Sequence, residues 1–371
     1  MTTDNYITNT TELVNGQCTA EFKIHYSQFL NPSGKLVSEL PQFASDKETL
    51  LELYRVMVLN RVFDNKAIAL QRTGKMGTYA SSLGQEAVAA AIGHAMAEED
   101  ILLPMYREYA AQLQRGVSMT ELFLYWGGDE RGMAFENQAQ DFPIAVPIAT
   151  QIPQAAGVAK SFQIRKEARV AVTIIGDGGT SKGDFYEGLN LAGVMQLPMV
   201  VIVNNNQWAI SVPRAKQTAV QTLAQKAIAA GVHGEQVDGN DVLAMRERVG
   251  IAVERARNGG GTSVIEALTY RMGDHTTADD ASRYRNPDVL DEQQKLDPIS
   301  RLRTYLVEQH GWSDGQEEEL LLECSSKVEQ AVKEYLETPP MSPESMFDYL
   351  YDTLPKAYQW QREEMVKRGG S

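Results

Sequence analysis

Two short apolar runs, Val170–Ile175 and Met199–Val203, are bounded by turn residues and have the length and β-branched content of buried strands. The segment between them is long enough for a crossover helix, which predicts a right-handed βαβ unit with parallel strands. On either side the apolar spacing becomes helical. Ser45-Asp46-Lys47-Glu48 reads as a capping box opening a long helix through Leu50, Tyr54, Met57, Arg61 and Asp64 to about Arg72, ended by Gly74. An alanine-rich helix is expected over Ala87–Ala97, and another from the box Ser118-x-x-Glu121 to Trp126-Gly127-Gly128. Residues 127–143 read as a loop, and Pro147 begins an extended stretch that becomes helical to about Arg165.

Downstream, helices are expected over Val220–Ala230 and from Asp241 to about Arg257, with strands ending at Val237-Asp238 and spanning Thr262–Arg271. Asp297-Pro298, a cap followed by proline at the first helical position, opens a charged helical region interrupted at Pro339-Pro340. Strands alternating with helices give the α/β class with a mainly parallel sheet. The expected division is a polar, irregular arm at 1–44, an α/β domain at 45–296 and a helical extension at 297–371.

Composition narrows the function. The chain has 371 residues, 43% hydrophobic and 23% charged, which is enough for a substantial core. A net charge of −14 argues against a nucleic-acid or anionic-membrane partner, so an anionic ligand has to be met by local cations. Two cysteines, Cys18 and Cys324, lie far apart and make no disulfide framework, which points to a reducing cytoplasm. The first residues, MTTDNYITNTTELVNGQ, lack the basic start and apolar centre of a secretory leader. No apolar run approaches the roughly 20 residues of a membrane span.

The chemistry gathers at the two strand ends. One closes on Gly176-Asp177-Gly178-Gly179 and the other on Asn204-Asn205-Asn206, so adjacent strands would bring a carboxylate and amide oxygens to the carboxyl edge, where open α/β sheets bind ligands. The glycines let backbone approach a ligand, and Thr180, Ser181 and Gly183 lead into a helix whose free N–H groups suit a phosphate. An acid with an amide suits Mg²⁺, which takes few protein oxygens and completes its shell with water and phosphate. Either motif alone is ordinary turn punctuation; together they read as a magnesium-diphosphate site. A dinucleotide fingerprint fails because Ser181 stands where glycine is required, and no P-loop sequence occurs. Arg107, on a short loop before a helix, is the first candidate for a diphosphate fork. His275 lies beyond a strand end beside Arg271, Arg283 and Arg285, and can donate to phosphate or move a proton. The polar loop from Gly77 to Ala87 is a second candidate pocket wall.

Gly-Asp-Gly followed, after 26 residues, by Asn205-Asn206 resembles the thiamine-diphosphate signature. Taken with VFDNKAIALQRTGKMGTYASSLGQEA, MYRE, PIATQIPQAAG, VDGNDV and YRMGDHTTADDASRYR, the chain from about residue 46 onward resembles the alpha subunits of the heteromeric decarboxylating component of 2-oxo acid dehydrogenase complexes, most closely the pyruvate type. The resemblance implies a three-layer α/β/α thiamine-diphosphate-binding fold. It also implies Mg²⁺ held by the side chains of Asp177 and Asn206 and the backbone carbonyl of Trp208. Tyr106, Arg107, Gly178, Gly179 and Asn204 would contact the diphosphate, Val146 and Ile148 would face the cofactor, and His275 would reach the diphosphate and assist acyl transfer. The implied reaction is oxidative decarboxylation of pyruvate with reductive acetylation of a lipoyl group on the acyltransferase component. A separate beta subunit would complete the site in a two-alpha, two-beta assembly. Branched-chain 2-oxo acid or acetoin oxidation is the alternative within the enzyme class, and a non-catalytic assembly subunit the alternative outside it. The Met272–Arg285 loop is expected to be mobile until diphosphate arrives, on the ground that its cations lack partners.

Overall fold

A computed structural model describes residues 18–369. The stretch read as lacking a secretory leader lies outside these residues.

The strands are β1 (Tyr26–Ser27), β2 (Ile101–Leu103), β3 (Ala171–Gly176), β4 (Met199–Asn205), β5 (Trp208–Ala209), β6 (Val212–Pro213), β7 (His233–Asp238) and β8 (Ser263–Leu268). Six of them form one sheet in the order β1-β7-β8-β4-β3-β2, and every pairing in it is parallel. β5 and β6 form a separate antiparallel hairpin just beyond β4.

Side chains alternate across the sheet because strand residues have period two. Leu102, Val172, Ile174, Val200, Ile202 and Ile265 enter one buried cluster, packed under the helices Lys47–Arg72, Glu86–Ala95 and Val242–Arg257. Leu103, Ala171, Ile175, Val201, Val203 and Val264 enter the cluster on the opposite face, under Gln151–Arg165 and Gly183–Met195. The result is a three-layer α/β/α sandwich, as the resemblance implies, around the parallel sheet that the alternation of strands and helices predicts.

Local caps explain the boundaries. Asp46, not Ser45, caps the first long helix: its carboxylate accepts from the amides of Glu48 and Thr49. The box at Ser118 forms as expected, with Glu121 returning the bond, and Gly128 closes that helix in the left-handed region. Asp241 and Asp297 cap the helices Val242–Arg257 and Pro298–His310. The helix expected over Val220–Ala230 reduces to a tight turn at Leu223–Gln225 and a single turn at Lys226–Ala229.

The arm is not wholly irregular. Tyr26 and Ser27 add the edge strand to β7, and the amides of Phe29 and Leu30 donate to the Asp241 carboxylate at 2.6 and 2.7 Å. Helices Pro298–His310 and Asp314–Glu337 supply Leu302, Leu306, Leu320 and Cys324 to the same cluster as the first helix. Among the described residues no helix is long and apolar enough to cross a membrane.

Candidate active site

β3 and β4 pair in register from Ala171↔Met199 to Gly176↔Asn204, so the chain leaves the sheet at Asp177 and at Asn205-Asn206 side by side. A cavity of about 300 Å³ opens there, and Asp177, Gly178, Gly179, Asn204, Asn206 and Trp208 line it together with Tyr106, Arg107, Ile148 and His275. The two strand-end motifs therefore share one cavity with the candidate cations. Val146 does not line it; this residue stands on the surface, 52% exposed.

Asp177 is 1% exposed, and burial pushes its carboxyl up to about 6, against a bond donated by Gln217 Nε2 at 2.6 Å. A cation beside it would restore the ionised form. Asn204 and Asn206 follow the strand alternation and turn their amides to the same side, each donating from Nδ2 to Gln85 Oε1 at 3.0 Å. Asn205 points the other way and donates to Glu266. Asn206 Oδ1 accepts from the Trp208 amide at 3.2 Å. Gln207 and Ile210 carry φ of 73° and 53°. A β-branched residue in the left-handed region is strained; the two positive-φ residues flank Trp208-Ala209, and Trp208 and Ile210 border the cavity.

The opposite wall is cationic. Arg107 is buried and donates to the carbonyls of Ser81 and His275, the latter at 2.7 Å. His275 Nδ1 lies 3.2 Å from the Arg107 guanidinium and 3.4 Å from that of Arg271. Two guanidinium donors make Nδ1 an acceptor, so the ring proton sits on Nε2. Burial, then the two flanking charges, push His275 down to about 4, and the ring is neutral at pH 7. Its amide donates to Asp279, and Arg285 donates to the carbonyls of Arg271 and Gly273. The expectation that the loop's cations wait without partners is thus corrected: the backbone carbonyls of Arg271 and Gly273 engage Arg285.

Three contributors are not among the named candidate residues. Gln85 and Gln217 hold the amides and the carboxylate, and Lys182, at the start of the helix Gly183–Met195, also lines the cavity. Gln85 lies in the polar 77–87 loop, which sequence pattern marks as a pocket wall; Gln217 has no such signal. The glycine stretch itself forms a tight turn, Gly178–Ser181, before the helix begins. Buried Lys226 braces that turn through the Thr180 carbonyl at 2.7 Å.

The donors at the two strand ends are one carboxylate and one amide oxygen, both oxygen, beside Trp208 at the same cavity, which matches a hard dication. Arginine, a neutral Nε2–H and a glycine turn suit an anionic group in the same cavity. The residues present fit a magnesium diphosphate.

Comparison with known proteins decides the family. Residues 54–344 match the family described as Dehydrogenase E1 component. The chain belongs to it. The dehydrogenase E1 component is also the nature of its relatives. The chain is 42% identical over 338 residues to the pyruvate dehydrogenase E1 component subunit alpha of Acholeplasma laidlawii, covering 90% of this chain and 98% of that one. It is 40% identical over 331 residues to the subunit of the same name from Bacillus cereus, covering 88% and 89%.

Proposed function

We propose that this E1 chain is the alpha subunit of a thiamine-diphosphate-dependent pyruvate dehydrogenase, acting in oxidative decarboxylation of pyruvate with transfer of the acetyl group to a lipoyl carrier. The observation that carries the reading is the convergence of Asp177 and Asn206, from adjacent strand ends, on a cavity whose far wall is Arg107 with His275.

Asp177, Asn206 and the Trp208 carbonyl would hold Mg²⁺; Tyr106, Arg107, Gly178, Gly179 and Asn204 would meet the diphosphate; Ile148 would border the organic part. When bound, thiamine diphosphate supplies the carbon nucleophile and the electron sink that decarboxylation of a 2-oxo acid requires. Arg107 already anchors the His275 loop through its carbonyl, so binding and loop position are coupled in one side chain. His275 keeps its proton on Nε2 and is able to donate it to an oxyanion beside the cofactor.

The cavity offers two carboxylates, and both have other work. Asp177 is the metal candidate, and Glu108 accepts from the amides of Met105 and Arg107 at 3.0 and 3.1 Å. This fits the family resemblance, which implies that the acid that activates the cofactor comes from a beta subunit in a two-alpha, two-beta assembly. The test is turnover by the co-expressed pair and by this chain alone. The pair is expected to oxidise pyruvate faster than 3-methyl-2-oxobutanoate, and the single chain to do neither. Turnover of pyruvate by the single chain overturns the shared site; preference for the branched acid overturns the substrate.

A further inference from the structure

Gln85 is 2% exposed, lines the cavity and has no place among the metal or diphosphate residues above. Its orientation is forced. The Trp208 amide can only donate, and it donates to Asn206 Oδ1, so Asn206 Nδ2 faces Gln85 and Gln85 must present its oxygen; Asn204 then also turns Nδ2 to that oxygen, with its Oδ1 accepting from the Thr269 hydroxyl at 2.7 Å. Both land on Gln85 Oε1. Turning the Gln85 amide over would set three N–H groups against one another, so only the oxygen can face the asparagines. Gln85 Nε2 is thereby left buried with no partner among the described residues.

An unpaired buried donor destabilises a fold by about 1–3 kcal/mol, and such groups persist where a ligand completes them. The backbone beneath Gln85 is held firmly: the Gly84 amide donates to Glu86 at 3.0 Å, and Glu86 is clamped by Arg61. Gln85 is thus a rigid bracket with one acceptor spent on the metal-side amides and one donor in reserve.

We propose that Gln85 is a positioning residue for the metal: it keeps the Asn206 amide with oxygen, not nitrogen, turned to the dication, and lends its Nε2–H to an oxygen of the bound diphosphate or of water on the metal. This rests on the magnesium-diphosphate reading of the site. Packing alone would give Gln85 no influence on metal dependence; the bracket does.

The experiment uses the co-purified alpha–beta enzyme, with cofactor binding followed by calorimetry and by tryptophan fluorescence while Mg²⁺ is varied at saturating thiamine diphosphate. Gln85→Met removes both acceptor and donor while keeping the shape, and is expected to raise the half-saturating Mg²⁺ roughly 10- to 100-fold, the range for outer partners of metal ligands. Gln85→Glu keeps the acceptor and loses the donor. Its Mg²⁺ requirement is expected at or below that of the wild type, while its affinity for thiamine diphosphate at saturating Mg²⁺ falls about tenfold or more. Unchanged Mg²⁺ dependence in Gln85→Met, or a Mg²⁺ dependence in Gln85→Glu as weak as in Gln85→Met, overturns the proposal. Absence of Mg²⁺-dependent binding in the wild type overturns the metal reading itself, and the bracket with it.

Discussion

Asp177→Asn should make the empty enzyme more stable and the loaded enzyme inactive. Burial moves the Asp177 carboxyl from 3.8 to about 6, so the folded chain retains a proton that the unfolded chain has released between those values. Stability therefore falls as pH rises through that window, and above it the full penalty of the buried charge is present. A shift of about 2 units at 1.36 kcal/mol each is about 3 kcal/mol at pH 8, and the same relation leaves about half of it at pH 5. Asparagine carries no charge and still accepts from Gln217. With an unfolding entropy of about 2.1 cal/mol/K per residue, 3 kcal/mol on a chain of this length is roughly a 4 °C rise in Tm. The assay is thermal unfolding of the alpha–beta enzyme at pH 5 and pH 8, with and without magnesium thiamine diphosphate. The ligand-free variant is expected to melt above the wild type at pH 8, with a smaller gap at pH 5. The cofactor should raise the wild-type Tm, by about 2.7 kcal/mol of stabilisation at 100 times Kd, and leave the variant unmoved. A variant that melts at or below the wild type at pH 8, or gains equally from the cofactor, refutes the reasoning.

Other outcomes follow from particular bonds. Arg107→Lys loses the planar fork, and its affinity for magnesium thiamine diphosphate should fall roughly 10- to 100-fold by calorimetry. Asp279→Ala removes the acceptor of the His275 amide and of the Tyr284 hydroxyl; limited proteolysis should cut within 272–285 faster than in the wild type, with added cofactor protecting the wild type more. Ser118→Ala breaks a capping box distant from the cavity and should destabilise by about 1 kcal/mol in denaturant titration, with kcat unchanged.

Much of this was legible in the sequence because the decisive signals are local. Two β-branched runs ending in Gly-Asp-Gly and Asn-Asn-Asn name their own strands, and parallel pairing then places Asp177 beside Asn206. Arg107 and His275 stood out because an acidic chain that binds an anion must concentrate cations somewhere. The unread features are non-local. Gln85 meets its asparagines across 119 and 121 positions, and glutamine has no spacing signature that announces such a partner. Gln217 lies in a polar link that reads as a simple connection, yet reaches Asp177. The edge strand at Tyr26–Ser27 is too short for any periodicity and exists because β7 offers a free edge. The carbonyls that occupy Arg107 and Arg285 belong to backbone, which the pattern of side chains does not reveal.

The central claim is that one dication joins two strand ends to a diphosphate. A crystal structure of the alpha–beta enzyme with magnesium thiamine diphosphate measures this directly. The account predicts Mg²⁺ at about 2.0–2.1 Å from Asp177, the Asn206 side-chain oxygen and the Trp208 carbonyl, with Arg107 on the diphosphate. A metal bound elsewhere, or a diphosphate held without Asp177 and Asn206, would contradict it.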